Sequence, residues 1–500
     1  RGIEKESLRI DSQGFISKKK HPDELGSALT NAFITTDFSE ALLELVTPTF
    51  TDVDNCLSFL TDLHSFVHKS IDKELLWPLS MPGSIDAYED VGIGEYGTSN
   101  SGMMKSVYRR GLAHRYGSKM QAIAGIHYNF SFPDNFFLKI ADFKGLKDEE
   151  IKDIKSEIYL GMARNFKRFE WLYFLLFGAS PAFSETFTEK NLSSFEKSAK
   201  GSYFKEQATS LRMGDLGYIS ETQDDLNISI NSIQEYIQDL KTALTKTHAE
   251  YENIGEFSDE QRIQLNTSVI QIENEYYSTI RPKRICPSGE RPINILNSQG
   301  IEYLELRCVD LDPFNPIGID RSQIDFLDAF LLFCFTKESP PLDKKEASLL
   351  KENHKKIVNE GRNPNLKIYA QRGEASVSEL ANELLEEMNQ ISEESGKFVF
   401  EEKNNRWTES LKTQKEKIED LNLTPSGKVI ERLTSDNVSH EELGMEIAEK
   451  NLAFFENYNN SREEEFKREA SLSKEQQKKM ESQKSPPFEE YLAEFLNKVS

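Results

Sequence analysis

No run of apolar residues in this chain reaches the roughly 18 that a helix needs to cross a bilayer. The best candidate, Trp171-Leu172-Tyr173-Phe174-Leu175-Leu176-Phe177, is too short and lies mid-chain, so no membrane partner is expected. Cysteine is scarce. Cys56, Cys286, Cys308 and Cys334 are the whole complement of 500 residues, and no two of them form a CxxC pair. That argues against a structural zinc cluster and a dense disulfide framework, and leaves free thiols in a reducing cytoplasm as the expectation. Positive charge is in deficit: 61 Lys and Arg face 84 Asp and Glu, a net charge of −23. Such a field repels phosphate backbones and makes nucleic acid an unexpected partner. A nucleotide would have to be held by metal ions and local arginines. There is no G-x-x-x-x-G-K-[ST] loop and no G-x-S-x-G elbow, which excludes a P-loop site and that type of serine hydrolase. The chain opens abruptly at Arg1 inside a strand pattern, with no secretory leader in view.

What is present is a polar, globular composition, 37% hydrophobic and 29% charged, with chain enough for two domains or one large one. Residues 1–335 mix strand patterns, helices and turn clusters. Helical spacing is expected over 55–76, over 149–177 (ended by Gly178-Ala179-Ser180-Pro181) and over 227–248. A boundary is expected at 337–346, where Pro340-Pro341 breaks any helix. From 336 to 500 strand signals nearly vanish, and a charged, mainly helical region is expected to pack on the first part as a cover. Within it 380–391 reads as helix, and 461–483 is charged enough to be a solvated helix or disordered.

Five short stretches alternate apolar residues with acidic or metal-capable ones. They are Gly2-Ile3-Glu4-Lys5-Glu6-Ser7-Leu8-Arg9, Ala41-Leu42-Leu43-Glu44-Leu45-Val46, Gly125-Ile126-His127-Tyr128-Asn129-Phe130, Val269-Ile270-Gln271-Ile272-Glu273-Asn274-Glu275 and Glu302-Tyr303-Leu304-Glu305-Leu306-Arg307. Side chains two apart in a strand share a face. Glu4 and Glu6, His127 and Asn129, Gln271 with Glu273 and Glu275, and Glu305 and Arg307 are therefore expected side by side. Any one such strand also reads as the solvated face of an amphipathic sheet. Together, with Asp37 and Glu44 flanking a strand entry, they suit an antiparallel sheet, apolar on its other face, that holds divalent metals and phosphates. Arg109, Arg212, Arg307 and the cluster Arg281-Pro282-Lys283-Arg284 are candidates to hold a transferring phosphoryl group. The pattern points to an ATP-using enzyme.

Two motifs are discounted. Gly92-Ile93-Gly94-Glu95-Tyr96-Gly97 fits G-x-G-x-x-G, but it follows Asp86-Ala87-Tyr88-Glu89-Asp90 instead of a hydrophobic strand, and a loop is expected. His64 and His68 sit four apart, a zinc-pair spacing, but the adjacent Glu of H-E-x-x-H is absent and no third ligand is near.

Several long blocks resemble the bacterial glutamate–cysteine ligase family. They include the first strand just quoted, Ile34-Thr35-Thr36-Asp37-Phe38, Trp77-Pro78-Leu79-Ser80-Met81-Pro82, Tyr96-Gly97-Thr98-Ser99-Asn100, the His127 strand, Leu211-Arg212-Met213-Gly214-Asp215-Leu216-Gly217-Tyr218, Gln271-Ile272-Glu273-Asn274-Glu275 and Ile280-Arg281-Pro282-Lys283-Arg284. The resemblance runs from Arg1 to about residue 335 and thins in the tail. It implies an α+β fold: a curved antiparallel sheet funnel of the glutamine-synthetase-like type, surrounded by helices. It implies ligation of L-glutamate to L-cysteine with ATP as co-substrate, through a γ-glutamyl phosphate, in a cytoplasmic and monomeric enzyme inhibited by glutathione. By the family's pattern Glu4, Glu6, Asp37, Glu44, His127 and Glu305 hold magnesium (or manganese). Arg109 and Arg307 neutralise the phosphoryl group, and Arg281, Lys283 and Arg284 bind ATP. Arg212 holds a substrate carboxylate, and Phe38, Tyr108, Leu112, Gln121, Tyr218 and Tyr277 shape the cysteine pocket. Phe204-Lys205-Glu206-Gln207 departs from the family's usual residues. A related ligase with another amine acceptor, or a non-catalytic acidic metal-binding protein, stays open at this point.

Overall fold

The alternation at the start of the chain does form a strand. The computed structural model describes residues 1–86, 91–145, 147, 151–188, 192–217, 226–370, 373–399 and 405–499. Its main sheet comprises Gly2–Ile10 (β1), Ile34–Thr36 (β2), Leu42–Val46 (β3), Leu75–Leu76 (β4), Ile126–Phe130 (β5), Ile280–Lys283 (β6) and Tyr303–Val309 (β7). The order is β6-β7-β5-β1-β3-β2, with β4 pairing the end of β1, and every pairing is antiparallel. The fold is thus a mixture of helices and antiparallel sheet.

One face of the sheet is packed and largely apolar. Ile3, Leu43, Leu45, Ile126, Tyr128, Phe130, Leu304 and Leu306 are buried in the main core, which also takes in the helices Val53–Ser70, Ile151–Phe177 and Arg321–Thr336. The expectation of an apolar back face fails on β1, where parity sends Lys5 and Arg9 inward as well. Arg9 is fully buried and partnered through Nη1 and Nη2, which bond Glu74 at 2.6 Å and the carbonyls of Lys19, Lys20 and Glu40, while its Nε has no partner.

The expected helices form with shifted ends. Residues 55–76 give Val53–Ser70, capped by Asp52, and 227–248 contracts to Ile233–Thr245, capped by Ser232. The long Ile151–Phe177 helix stops at Gly178, where a Cβ would lie 2.7 Å from the carbonyl oxygens of Phe174 and Thr209. The tail is mainly helical, but it also holds a hairpin, Lys367–Ala370 with Gly373–Ser376, that the sequence did not announce. Of the two readings of 461–483, the helix is correct over Glu463–Ser482. Its acidic first turn suits the helix dipole, and Phe466, Ala470 and Ser473 form a buried stripe. That stripe packs on Phe59 and Phe66 and against the turn Asp23–Leu25.

Candidate active site

Register sets the site. On the open face Glu4 stands opposite His127, Glu6 opposite Glu44, Glu305 opposite Asn129, and Arg281 opposite Glu305. Four of the five alternating stretches therefore converge. His127 Nδ1 lies 3.1 Å from Glu4 Oε2, and its Nε2 lies 3.9 Å from Glu6 Oε1. Asn129 donates to Glu4 Oε1 at 2.7 Å, and the Gly125 N–H donates to Glu6 Oε2 at 2.7 Å. Ligand atoms of Glu4, Glu44 and His127 all fall within 4.8 Å of one another.

The electrostatics of this face are opposed from strand to strand. Burial, then Asp37, pushes the Glu6 carboxyl up to about 7. Burial, then Glu4, Asp37 and Glu6, lifts Glu44 well above the carboxylate range. For Glu4 and Glu305 burial works upward too, but it loses. The hydrogen bond and charge of His127 bring Glu4 below its ordinary value, and Lys283, Arg307 and Arg281 hold Glu305 well below it. One side of the face is thus a crowd of carboxylates short of positive charge, and the other a carboxylate ringed by cations.

Those cations are placed with care. Lys283 Nζ is 3.3 Å from Glu305 Oε1, Arg281 Nη1 is 3.9 Å from Oε2, and Arg307 Nη1 is 4.0 Å from Oε2. A register shift between Leu306 and Val309 inserts one extra residue into β7 at Arg307–Cys308, a bulge of the kind that re-aims a side chain. Arg212, buried, donates to the Arg307 carbonyl at 3.1 Å and lies 3.5 Å from Asp310. A Cβ at Gly125 would meet the Arg212 guanidinium at 2.0 Å, so any side chain there would displace that arginine. Arg109 enters from the helix Asn100–Tyr116: Nη2 is 3.8 Å from Asp37 Oδ1 and donates to Thr36 O at 3.2 Å, while its Cζ lies 4.5 Å over the Tyr96 ring.

Beside Arg307 and Asp37 lies an aromatic pocket. Gln121 Nε2 donates to Tyr277 Oη at 3.4 Å, and Tyr277 meets Tyr116 edge-on at 6.1 Å. Burial, then the charges of Glu275 and Tyr277, raise the Tyr108 hydroxyl pKa, and burial raises that of Tyr277 against its hydrogen bond with Gln121. Leu112 follows Tyr108 by one turn on the same helix and is buried. Phe38 is buried in the main core. Tyr218 lies outside the described residues.

Some expectations are corrected. Gln271, Glu273 and Glu275 share no strand face: Glu273–Glu275 is a 3₁₀ turn. Gln271 accepts from Leu265 N, and Glu275 binds Arg115 at 2.9 Å and Tyr116 at 2.7 Å, clasping this loop to the Asn100–Tyr116 helix. Glu273 instead pairs with Arg291 at 3.1 Å. These polar groups are spent on local loop contacts, which period-2 reading does not see. Arg284 lies beyond the end of β6 and bonds Gln299 and the Gly300 carbonyl, so it does not join the open face. The stretch Gly92–Gly97 is a loop as expected, yet a helix follows it after the Ser99 cap. Lys105, one turn before Arg109 and held down to about 8 by burial and Arg109, was missed; its spacing from Arg109 was the available signal.

The donor set fits a hard divalent cation: carboxylate oxygens and one imidazole, with no thiolate. Glu305 Oε2 is buried without a hydrogen-bond partner, as an atom reserved for a ligand would be.

A family model described as glutamate-cysteine ligase matches residues 1–357. The glutamate–cysteine ligase of Alcanivorax borkumensis is 41% identical over 504 residues, covering 99% of this chain and 95% of that one. That of Pseudomonas entomophila is 43% identical over 433 residues, 87% of this chain and 81% of that one. Among solved structures, a glutamate–cysteine ligase from Francisella tularensis in complex with AMP matches with a TM-score of 0.92 at 35% identity, covering 99% of this chain and 97% of that one. A bifunctional glutathione synthetase from Pasteurella multocida gives 0.70 at 24% identity over 94% of this chain and 55% of that one, a likeness of fold alone.

Proposed function

The chain belongs to the glutamate–cysteine ligase family, and from that premise we propose how its side chains carry out ATP-dependent ligation, the first step of glutathione synthesis. The observation that carries the reading is the single sheet face on which Glu4, Glu6, Glu44 and His127 meet Glu305 and its three cations. Glu4, Glu6, Asp37, Glu44, His127 and Glu305 would hold magnesium, or manganese in its place. When bound, those ions neutralise nucleotide phosphates and orient the phosphoryl group. The γ-carboxylate of glutamate takes the terminal phosphoryl group of ATP, ADP departs, and the amine of cysteine then displaces phosphate from the γ-glutamyl phosphate. Arg307, which precedes the bulge and is braced through its carbonyl by Arg212, and Arg109, braced by Tyr96, offset charge on the phosphoryl oxygens. Arg281 and Lys283 extend that rim toward ATP. Arg212 is retained for a substrate carboxylate, held ready by Asp310.

The pocket of Tyr108, Leu112, Gln121 and Tyr277, to which the family's pattern adds Phe38 and Tyr218, would take the cysteine acceptor. The sheet is read as the curved funnel of the glutamine-synthetase-like type. Residues 1–335 form the catalytic part and 336–500 its helical cover. Four free cysteines suit a reducing cytoplasm, and a monomer inhibited by its pathway's end product, glutathione, completes the reading. The test is product identification by mass spectrometry with ATP, glutamate and a panel of amino-acid acceptors. γ-Glutamylcysteine as main product is the expected result. A preference for another amine would keep the phosphoryl chemistry and overturn the acceptor assignment.

A further inference from the structure

We propose that Tyr116 is a further specificity-determining residue for the amine acceptor and that Glu275 is the residue that positions it. The buried carboxylate fixes the Tyr116 ring, and that ring holds Tyr277 in place at the wall of the acceptor pocket. The inference rests on the reading of Tyr108, Leu112, Gln121 and Tyr277 as that pocket.

Tyr108, Leu112 and Tyr116 recur at every fourth residue of the helix Asn100–Tyr116 and so follow one side of it. Tyr116 is the last residue of the helix. Its ring meets Tyr277 edge-on, with centroids 6.1 Å apart and planes at 73°. An edge-to-face pair is a favoured arrangement of two aromatic rings, and it limits where Tyr277 can lie.

Glu275 removes the freedom of Tyr116 itself. The Tyr116 hydroxyl donates to Glu275 Oε1 at 2.7 Å, and Arg115 Nη1 donates to the same oxygen at 2.9 Å. The Gln271 N–H donates to Glu275 Oε2 at 2.7 Å. The Arg115 and Glu275 side chains are fully buried. The guanidinium is immobilised in turn by Gln264, by the carbonyls of Asn266 and Ser268, and by the Tyr251 ring 4.0 Å beneath it. A buried ion pair is weak evidence for added stability; what this one supplies is orientation. Gln271 Nε2 donates to the Tyr108 carbonyl at 3.3 Å, and a Cβ at Gly111 would lie 2.2 Å from Gln271 Oε1, so the loop is seated against the turn that carries Tyr108 and Leu112. Arg115 and Gln271 already clasp loop to helix. The bond to the Tyr116 hydroxyl adds the aim of a ring that touches the pocket. A wall held this way cannot retreat, and it rejects an acceptor one methylene longer by about 10–200-fold.

The test is initial-rate kinetics on the full-length protein, varying each substrate separately. Tyr116→Leu loosens the wall. The Michaelis constant for cysteine should rise about tenfold, and the preference for 2-aminobutyrate over 2-aminopentanoate should narrow by about as much. The constants for glutamate and ATP should stay within about twofold. Glu275→Gln should move the same two readouts, and because it acts through Tyr116 the double variant should match Tyr116→Leu alone. Where Glu275→Gln does not fold, Tyr116→Phe takes its place, since it keeps the ring and deletes the bond to the carboxylate. Additive effects in the double variant would overturn the role of Glu275. An equal rise in the glutamate constant would make Tyr116 a general support of the fold and overturn the proposal. Tyr277→Leu is the control for the pocket. If it moves the cysteine constant and Tyr116→Leu does not, the proposal falls and the pocket stands; if neither moves it, the pocket reading falls with the proposal.

Discussion

At the scale of single residues, the shared open face of the sheet was legible because parity alone decides it. A carboxylate two residues from another on a half-buried strand has one open face to occupy, and Glu4, Glu6, His127 and Glu305 obey that rule. Arg307 joins the open face two residues from Glu305, as alternation places it, and the bulge that alternation does not encode follows it before Val309. Glu273 and Glu275 show the limit, since the same alternation serves a loop whose carboxylates have arginine and tyrosine partners nearby. Two substitutions test the assignments. Glu305→Gln keeps shape and removes charge, so turnover at ordinary magnesium should fall by two orders of magnitude or more while circular dichroism stays native; near-normal turnover would remove Glu305 from the metal set. Arg307→Lys trades a fork for a point charge, and turnover should drop about 10²–10³-fold. A change confined to the Michaelis constant for ATP would make Arg307 a ground-state binder. A third prediction concerns pH. Burial and Arg9 hold His21 down to about 4, and both its ring nitrogens lack partners. The unfolded chain binds this proton near pH 6.5 and the folded chain near 4, so stability is present above about pH 6.5 and is lost as pH falls between those values. Equilibrium unfolding should show that loss in the parent protein, and His21→Gln should make it measurably shallower, with His64, His68 and His440 supplying the remainder. An equal slope in both would exclude His21 as the source.

At the scale of elements, long periodic helices were readable and their starts were not, because N-capping by Asp52 or Ser232 decides where the first turn begins. The tail hairpin was invisible for another reason: Lys367–Ala370 and Gly373–Ser376 are short and mostly half-exposed or exposed, and Asn353 ties Tyr369 of the hairpin to the helix Lys344–Glu360 through both backbone groups, at 2.7 and 2.9 Å. The charged helix Glu463–Ser482 is held by its fit to the N-terminal turn. Gly26, at φ +83°, sits so close that a Cβ would lie 2.4 Å from Ser473 Oγ and 2.7 Å from the Ala470 backbone. Gly26→Ala adds strain at a positive φ and a backbone clash, together worth about 1–3 kcal/mol. The midpoint of unfolding should drop, and hydrogen exchange should rise first in 463–482. Unchanged protection of that helix would show that the contact is incidental.

At the scale of the molecule, the tail reads in the sequence as a charged helical cover packed on the first part, and in the structure its contacts reach the elements that support the site. Carbonyls of Ile357 and Val358 accept from Thr209 and Ser210, which lead into the Arg212 turn, and Phe488–Asn497 packs on the helix that carries Arg109. Contacts of such high sequence separation leave no local periodicity, so their place could not be read from composition. The claim that joins all scales is that one sheet face activates a carboxylate by phosphorylation before an amine attacks it. The direct measurement is the fate of oxygen. Glutamate carrying heavy oxygen in its γ-carboxylate is turned over with ATP and cysteine, and the released phosphate is weighed by mass spectrometry. One labelled oxygen per dipeptide formed should appear in the phosphate, with ADP as the nucleotide product. Unlabelled phosphate, or AMP with pyrophosphate, would contradict the γ-glutamyl phosphate route.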